Sequence, residues 1–235
     1  MIKLLFKTIL FTLLLASTTL VTKAQIGYDY AQYGFALGVN ANKVYGDAES
    51  VKTTPSGFVN FTYNQTPFIN YIVEAQAGQL EGGSVDSKSG RYFKNNYAAV
   101  VFRGQLQAGE LIDYSQSRFF NALKNLYLSA GIGYLINDIR SINRTSYVIN
   151  DYTTGGEDKS NELFIPARVG YELKFFNKYN QPSFKVDLGV QYNLDLNDNM
   201  DGFTAGVNKD KLLQYSIGFK FALGGVISYR KQIHY

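Results

Sequence analysis

The stretch Phe184-Lys185-Val186-Asp187-Leu188-Gly189-Val190-Gln191-Tyr192-Asn193 decides the fold. Every second residue is apolar, and the residues between are charged, amide or glycine. Successive side chains of a β-strand point to opposite faces, so a period of two builds a strand with one apolar and one polar face. Its length also matches the roughly 9–11 residues that a tilted strand needs to cross a bilayer.

Seven other segments carry the same period. Phe35, Leu37, Val39 and Ala41 form the first apolar row, and Val59, Phe61 and Tyr63 the second. The third is Ile69, Tyr71, Val73, Ala75 and Ala77, interrupted by Ile72; the fourth is Ala98, Val100, Phe102 and Leu106. The fifth and sixth run from Leu126 to Tyr134 and from Leu163 to Leu173, and the last is Leu213, Tyr215, Ile217, Phe219 and Phe221. The connections alternate in length. Residues 64–67 and 176–182 are short, whereas 42–56, 80–96, 137–161 and 195–211 are long and polar. Short turns at one end and long loops at the other are the asymmetry of barrels that cross an outer membrane. The expected fold is therefore all-β: an eight-stranded antiparallel up-and-down transmembrane β-barrel.

Two segments fit this scheme less simply. Residues 109–125 fall on the short-turn side but are long. Leu111, Tyr114, Phe119, Phe120 and Leu123 suit either a short amphipathic helix at the membrane interface or an irregular loop. After Gly224-Gly225, residues 226–235 read as a tail, because a ninth strand would break the even strand count.

The first 24 residues stand apart. Lys3 and Lys7 precede an apolar run from Ile9 to Leu15, and small residues lead to Thr22-Lys23-Ala24, the pattern of a cleaved secretory leader. The expected organisation is a signal peptide at 1–24, a barrel at 25–225 and a tail at 226–235, with the mature chain starting at Gln25. The leader holds three of the 23 basic residues, leaving 20 against 19 acidic ones. Such a balance gives no clustered basic face for nucleic acid. With no cysteine, disulfides and thiolate chemistry are excluded.

The polar rows decide which face meets lipid. They carry Glu74, Arg103, Arg168, Glu172, Lys174, Lys185, Asp187 and Lys220 among Gly, Ser and Gln. An eight-stranded barrel has an interior just wide enough for side chains, and small residues with mutually paired charges fit it. Tyrosines on the apolar rows suit an interfacial girdle. A soluble periplasmic ligand-binding barrel is the less favoured alternative.

The chain resembles the small outer-membrane β-barrel proteins of Bacteroidetes-type bacteria, with OmpA/OmpX-like barrel architecture. The resemblance rests on Ala24-Gln25, on Tyr92-Phe93-Lys94-Asn95-Asn96-Tyr97, on the Gly-spaced stretch from Leu126 to Tyr134 and on the Phe-rich last strand. It implies a fold and a place in the outer membrane. It implies no site residue, because that family is mixed in role.

Barrel enzymes need a His-containing constellation, and the one histidine, His234, stands second from the end without a fixed Ser or Asp partner. Glu74 with Asp187 is a conceivable acid pair, but neutralising the lumenal bases is the better reading. From Asn197, the loop offers Asn199, Asp201 and Gly202 at calcium-loop spacing, yet position one is not acidic and position twelve is Asn208. From Asp195, Met200 replaces the required glycine, so the loop reads as a solvated turn. No enzyme activity, cofactor or metal is expected. The expected partners are outer-membrane lipid and other outer-membrane proteins. The favoured role is structural or surface interaction through the long loops, chiefly Gly82 to Gly90 and Ile142 to Glu162. An accessory subunit of a larger complex and a narrow porin-like pore are the alternatives.

Overall fold

The computed structural model describes residues 26–115, 117–148, 152–178, 181–197, 199–204 and 209–231. The expected leader, its cleavage site and His234 lie outside these residues. Eight strands close into a barrel in simple chain order: β1 Ile26–Tyr45, β2 Thr53–Asn64, β3 Ile69–Gly83, β4 Tyr92–Gln107, β5 Leu126–Asn143, β6 Lys159–Phe176, β7 Pro182–Asp195 and β8 Lys211–Lys231. Every neighbouring pair is antiparallel, and β8 returns to β1 with Leu37 opposite Phe219 and Ala41 opposite Tyr215. Closure leaves the wall no free edge, the condition for sheet backbone to sit in hydrocarbon.

The wall is turned inside out relative to a soluble barrel. Val39, Val59, Val73, Val100, Phe102, Ile132, Val169 and Ile217 are exposed on its outer surface, while Glu74, Arg103, Arg168, Glu172 and Asp187 are buried inside. Only lipid makes that distribution favourable, so the barrel is a transmembrane one. Aromatic rings thicken the belt near the short-turn end: Tyr33 lies 5.8 Å from Tyr63, Tyr63 lies 6.4 Å from Tyr71, and Phe184 packs on Phe175 and Phe221.

At the other end the strands run further than the sequence rows suggested, so the loops shorten to the segments between Tyr45 and Thr53, Gly83 and Tyr92, and Asn143 and Lys159. The projecting wall meets water and carries ion pairs in place of apolar side chains. Glu81 faces Lys94 at 2.7 Å, and Asp138 holds Arg140 at 3.6 Å and Lys159 at 3.9 Å. Without a lipid-facing row the alternation fades, which is why sequence reading stopped short.

The expected tail is corrected as far as Lys231. Residues 226–231 pair with 26–31 of β1, so β8 continues past Gly224-Gly225. Gly224 adopts φ of 81°, and the register slips between Ala31 and Tyr33, so the double glycine is a bend in the strand and not its end. Pairing of β1 with β2 stops at Tyr33, and pairing of β7 with β8 stops at Phe221, so this two-stranded ribbon passes the rim of the barrel. It is tied down at the turn end. Tyr229 donates to Glu110 at 2.9 Å and packs on Tyr30 and Phe68, and Tyr30 donates to the Gln65 carbonyl at 2.9 Å.

The long turn-end connection holds two short helices, α1 Ala108–Leu111 and α2 Arg118–Leu123. Ser117 caps α2 by accepting from the Phe120 amide at 3.2 Å. Leu111 and Phe119 stay exposed, while Tyr114 is buried 5.5 Å from Phe68. Burial, then the Asp113 and Glu110 carboxylates, push the Tyr114 hydroxyl up to about 12.

Candidate functional site

The lumen is filled along its length by two chemistries. In the turn half, adjacent polar rows bring charges together across the barrel. Arg103 grips Glu74 with both terminal nitrogens, at 3.1 and 2.6 Å, and also donates to Gln191 at 2.9 Å. Asn60 and Gln76 donate to the same carboxylate, at 3.1 and 2.7 Å. Arg168 lies 3.3 Å from Asp187, and Tyr127 accepts from Arg168 at 2.8 Å while donating to Asp187 at 2.5 Å.

Lys220 links this pair to the next layer, 2.8 Å from Asp187 and 2.6 Å from Glu172. Glu172 also accepts from Gln105 and Gln107, and Lys185 stands 3.6 Å away. Lys174 donates to Gln107 at 2.7 Å and lies 5.0 Å from the centre of the Phe68 ring. The eight charged residues singled out in the sequence lie in the lumen in two groups: Glu74 with Arg103, and Arg168 with Asp187, Lys220, Glu172, Lys185 and, through Gln107, Lys174. Five are basic and three acidic. Ile72, the exception to the alternation, is fully buried.

A layer of amides separates the halves. Gln214 donates to Gln76 and Asn42, both at 3.0 Å, and Gln191 donates to Gln214 at 3.0 Å. Beside it Phe58 occupies the space over Gly38, where an added Cβ would stand 2.4 Å from the ring.

The loop half holds an apolar cluster beside the buried carboxylates of Glu162, Asp195, Asp201 and Asp210. Val44, Leu80, Phe93, Val101, Leu135, Phe164 and Leu212 face inward from the wall and enclose Met200 and Phe203 of the β7–β8 loop, which are both fully buried. The solvated turn expected at Asp195 to Gly202 is thus corrected: the loop folds inward as a plug. Inward-facing side chains hold its backbone. Asn95 and Asn137 donate to the Met200 carbonyl at 2.8 and 2.9 Å, and Ser160 donates to the Asn199 carbonyl at 3.1 Å.

Asp201 accepts from the Asp47 amide at 2.7 Å and the Phe203 amide at 2.9 Å, and Asp210 accepts from the Asp201 amide at 3.1 Å. Gly202 turns the chain with φ of 75°, a conformation that L side chains avoid. Arg91 covers the plug, 5.6 Å from the Phe203 ring centre, and donates to Thr154 and to the Asp47 carbonyl. The only sequence cue to the plug was a pair of apolar residues, Met200 and Phe203, in a polar loop.

Above this base the loops show exposed apolar side chains: Tyr147, Val148 and Tyr152 in one, Val85 in another and Val51 in a third. Among the described residues no group of three metal-ligating side chains is placed to hold a metal ion.

The fold defines a class, the small transmembrane β-barrels. No protein-family model and no curated protein sequence matches the chain. Solved structures do resemble it at low identity. Neisserial surface protein A is 13% identical, covers 82% of this chain and 98% of its own, and has a TM-score of 0.44. Ail, the attachment invasion locus protein of Yersinia pestis, solved with the heparin analogue sucrose octasulfate, is 12% identical, covers 85% and 99%, and has a TM-score of 0.44. The translocator domain of the autotransporter NalP from Neisseria meningitidis is 6% identical, covers 88% and 92%, and has a TM-score of 0.32.

Proposed function

We propose that the chain is a non-catalytic outer-membrane barrel that presents its loop end for surface interaction. On this reading residues 1–24 are removed on export, and the long loops face outward. The observation that carries it is the plugged loop end. Met200, Phe203 and Arg91 tie four loops to one base, and Tyr147, Val148 and Tyr152 stand exposed above it. Exposed tyrosines on a fixed scaffold are the usual anchors of protein recognition. The filled lumen argues against the porin-like reading.

The accessory-subunit reading keeps one observation in its favour, the exposed Leu111 and Phe119 at the turn end. A photo-crosslinking residue at Tyr152 and another at Phe119, each in native outer membranes, separate the two. Protein adducts from Tyr152 are expected. Adducts from Phe119 alone would transfer the contact to the turn end and reject the loop reading.

A further inference from the structure

Charges begin on the outer wall where the lipid-facing rows end, and they are not matched alike around the barrel. On β3 and β4 Glu81 faces Lys94, and on β5 and β6 Asp138 serves Arg140 and Lys159. Between β8 and β1 the first outward charges are both positive, Lys211 and Lys43. Tyr45 stands opposite Lys211 and Lys43 opposite Leu213, so the two lysines are diagonal neighbours on the outer face, roughly 7–8 Å apart. Lys52, next to the Thr53 that faces Lys43, and Lys209 are exposed on either side.

Among the described residues no acid lies within ion-pair distance of these four lysines. Lys209 donates to the neutral Leu196 carbonyl at 2.5 Å. The acids nearest in the chain, Asp195 and Asp210, are buried inside the wall, and Asp47 is tied to the plug through its amide. Like charges side by side on a sheet repel, so a counter-charge from outside the chain stabilises this arc.

Its position says what that counter-charge is. Val39, Ile217 and Tyr215 lie exposed on the same two strands directly below, and Tyr45 and Tyr192 stand beside them as an interfacial girdle. Lysine stems lie along such a surface and hold their ammonium groups at headgroup level. A headgroup already anchored by its chains meets them at a high effective concentration that a free ion lacks.

We propose that Lys43 and Lys211, flanked by Lys52 and Lys209, form a binding site for the phosphate of an anionic lipid in the leaflet at the loop end. The site is independent of what the loops themselves contact.

The test uses the full mature barrel in phosphatidylcholine membranes. The chain has no tryptophan, so Tyr215→Trp provides a single fluorescent reporter beside the pair. Quenching by dibrominated phosphatidylglycerol relative to dibrominated phosphatidylcholine reads the local headgroup preference, and heat-modifiable mobility confirms that each variant is folded. At low salt a preference for phosphatidylglycerol of roughly fivefold per lysine is expected. Lys43→Gln together with Lys211→Gln should abolish it, and Arg140→Gln, on a matched arc, should leave it unchanged. Equal quenching by the two lipids, a preference that the double variant retains, or an equal loss in Arg140→Gln would overturn the proposal.

Discussion

The two halves of the lumen solve the same packing problem with opposite materials. The turn half is filled by Arg103–Glu74, Arg168–Asp187 and the Glu172 cluster, all supplied by the strands themselves. The loop half is filled by apolar wall residues around Met200 and Phe203, supplied by a loop folding back. The difference follows from what lies outside the wall. Where the outer face meets lipid, strand parity sends polar residues inward. Where the wall stands in water, its outer face carries ion pairs such as Glu81–Lys94, and the interior is free to hold an apolar cluster. One barrel thus behaves as a membrane protein at one end and as a soluble protein at the other.

The contrast is sharpest at Arg103. Replacing it by Met leaves the buried Glu74 without its bidentate partner and should cost about 3–5 kcal/mol in urea unfolding from lipid vesicles. The double replacement Arg103→Met with Glu74→Gln should recover most of that loss; no recovery would show that shape, not charge pairing, holds this half.

In the loop half, Phe203→Ala removes a fully buried ring and should weaken plug closure by about 3 kcal/mol. The effect should be local: faster amide exchange and protease cleavage between Asp195 and Lys211, with heat-modifiable mobility unchanged. Global unfolding instead would mean that the two halves are one cooperative unit. Asp201→Asn weakens the grip on the Asp47 and Phe203 amides and should cost about 1–2 kcal/mol by the same exchange measurement. Smallest is Glu81→Gln on the outer wall, where the pair is half open to water and should contribute less than about 1 kcal/mol.

The same division explains what the sequence made legible. Wherever lipid touches the wall, parity is enforced residue by residue, so the eight strands and the inward direction of Glu74, Arg103, Arg168 and Asp187 could be read directly. Beyond the lipid that enforcement stops. The outer parts of β1 to β6 read as loop, and the β7–β8 loop as a solvated turn, because little in the local sequence marks Met200 and Phe203 as core. Residues 226–231 were missed for a related reason: their partner, residues 26–31, lies at the far end of the chain. The lumenal lysines could be counted from sequence, but only the fold shows that Lys185 and Lys220 share the Glu172 carboxylate.

The central claim, a lumen sealed twice by independent means, is tested most directly by single-channel recording in planar bilayers. Wild type and Phe203→Ala are compared under the same conditions. The structure predicts no steady conductance from either, because the charged turn half stays closed when the plug is loosened. A stable ohmic conductance from Phe203→Ala would show that the plug alone seals the barrel, and the same from wild type would show that the lumen is not sealed at all.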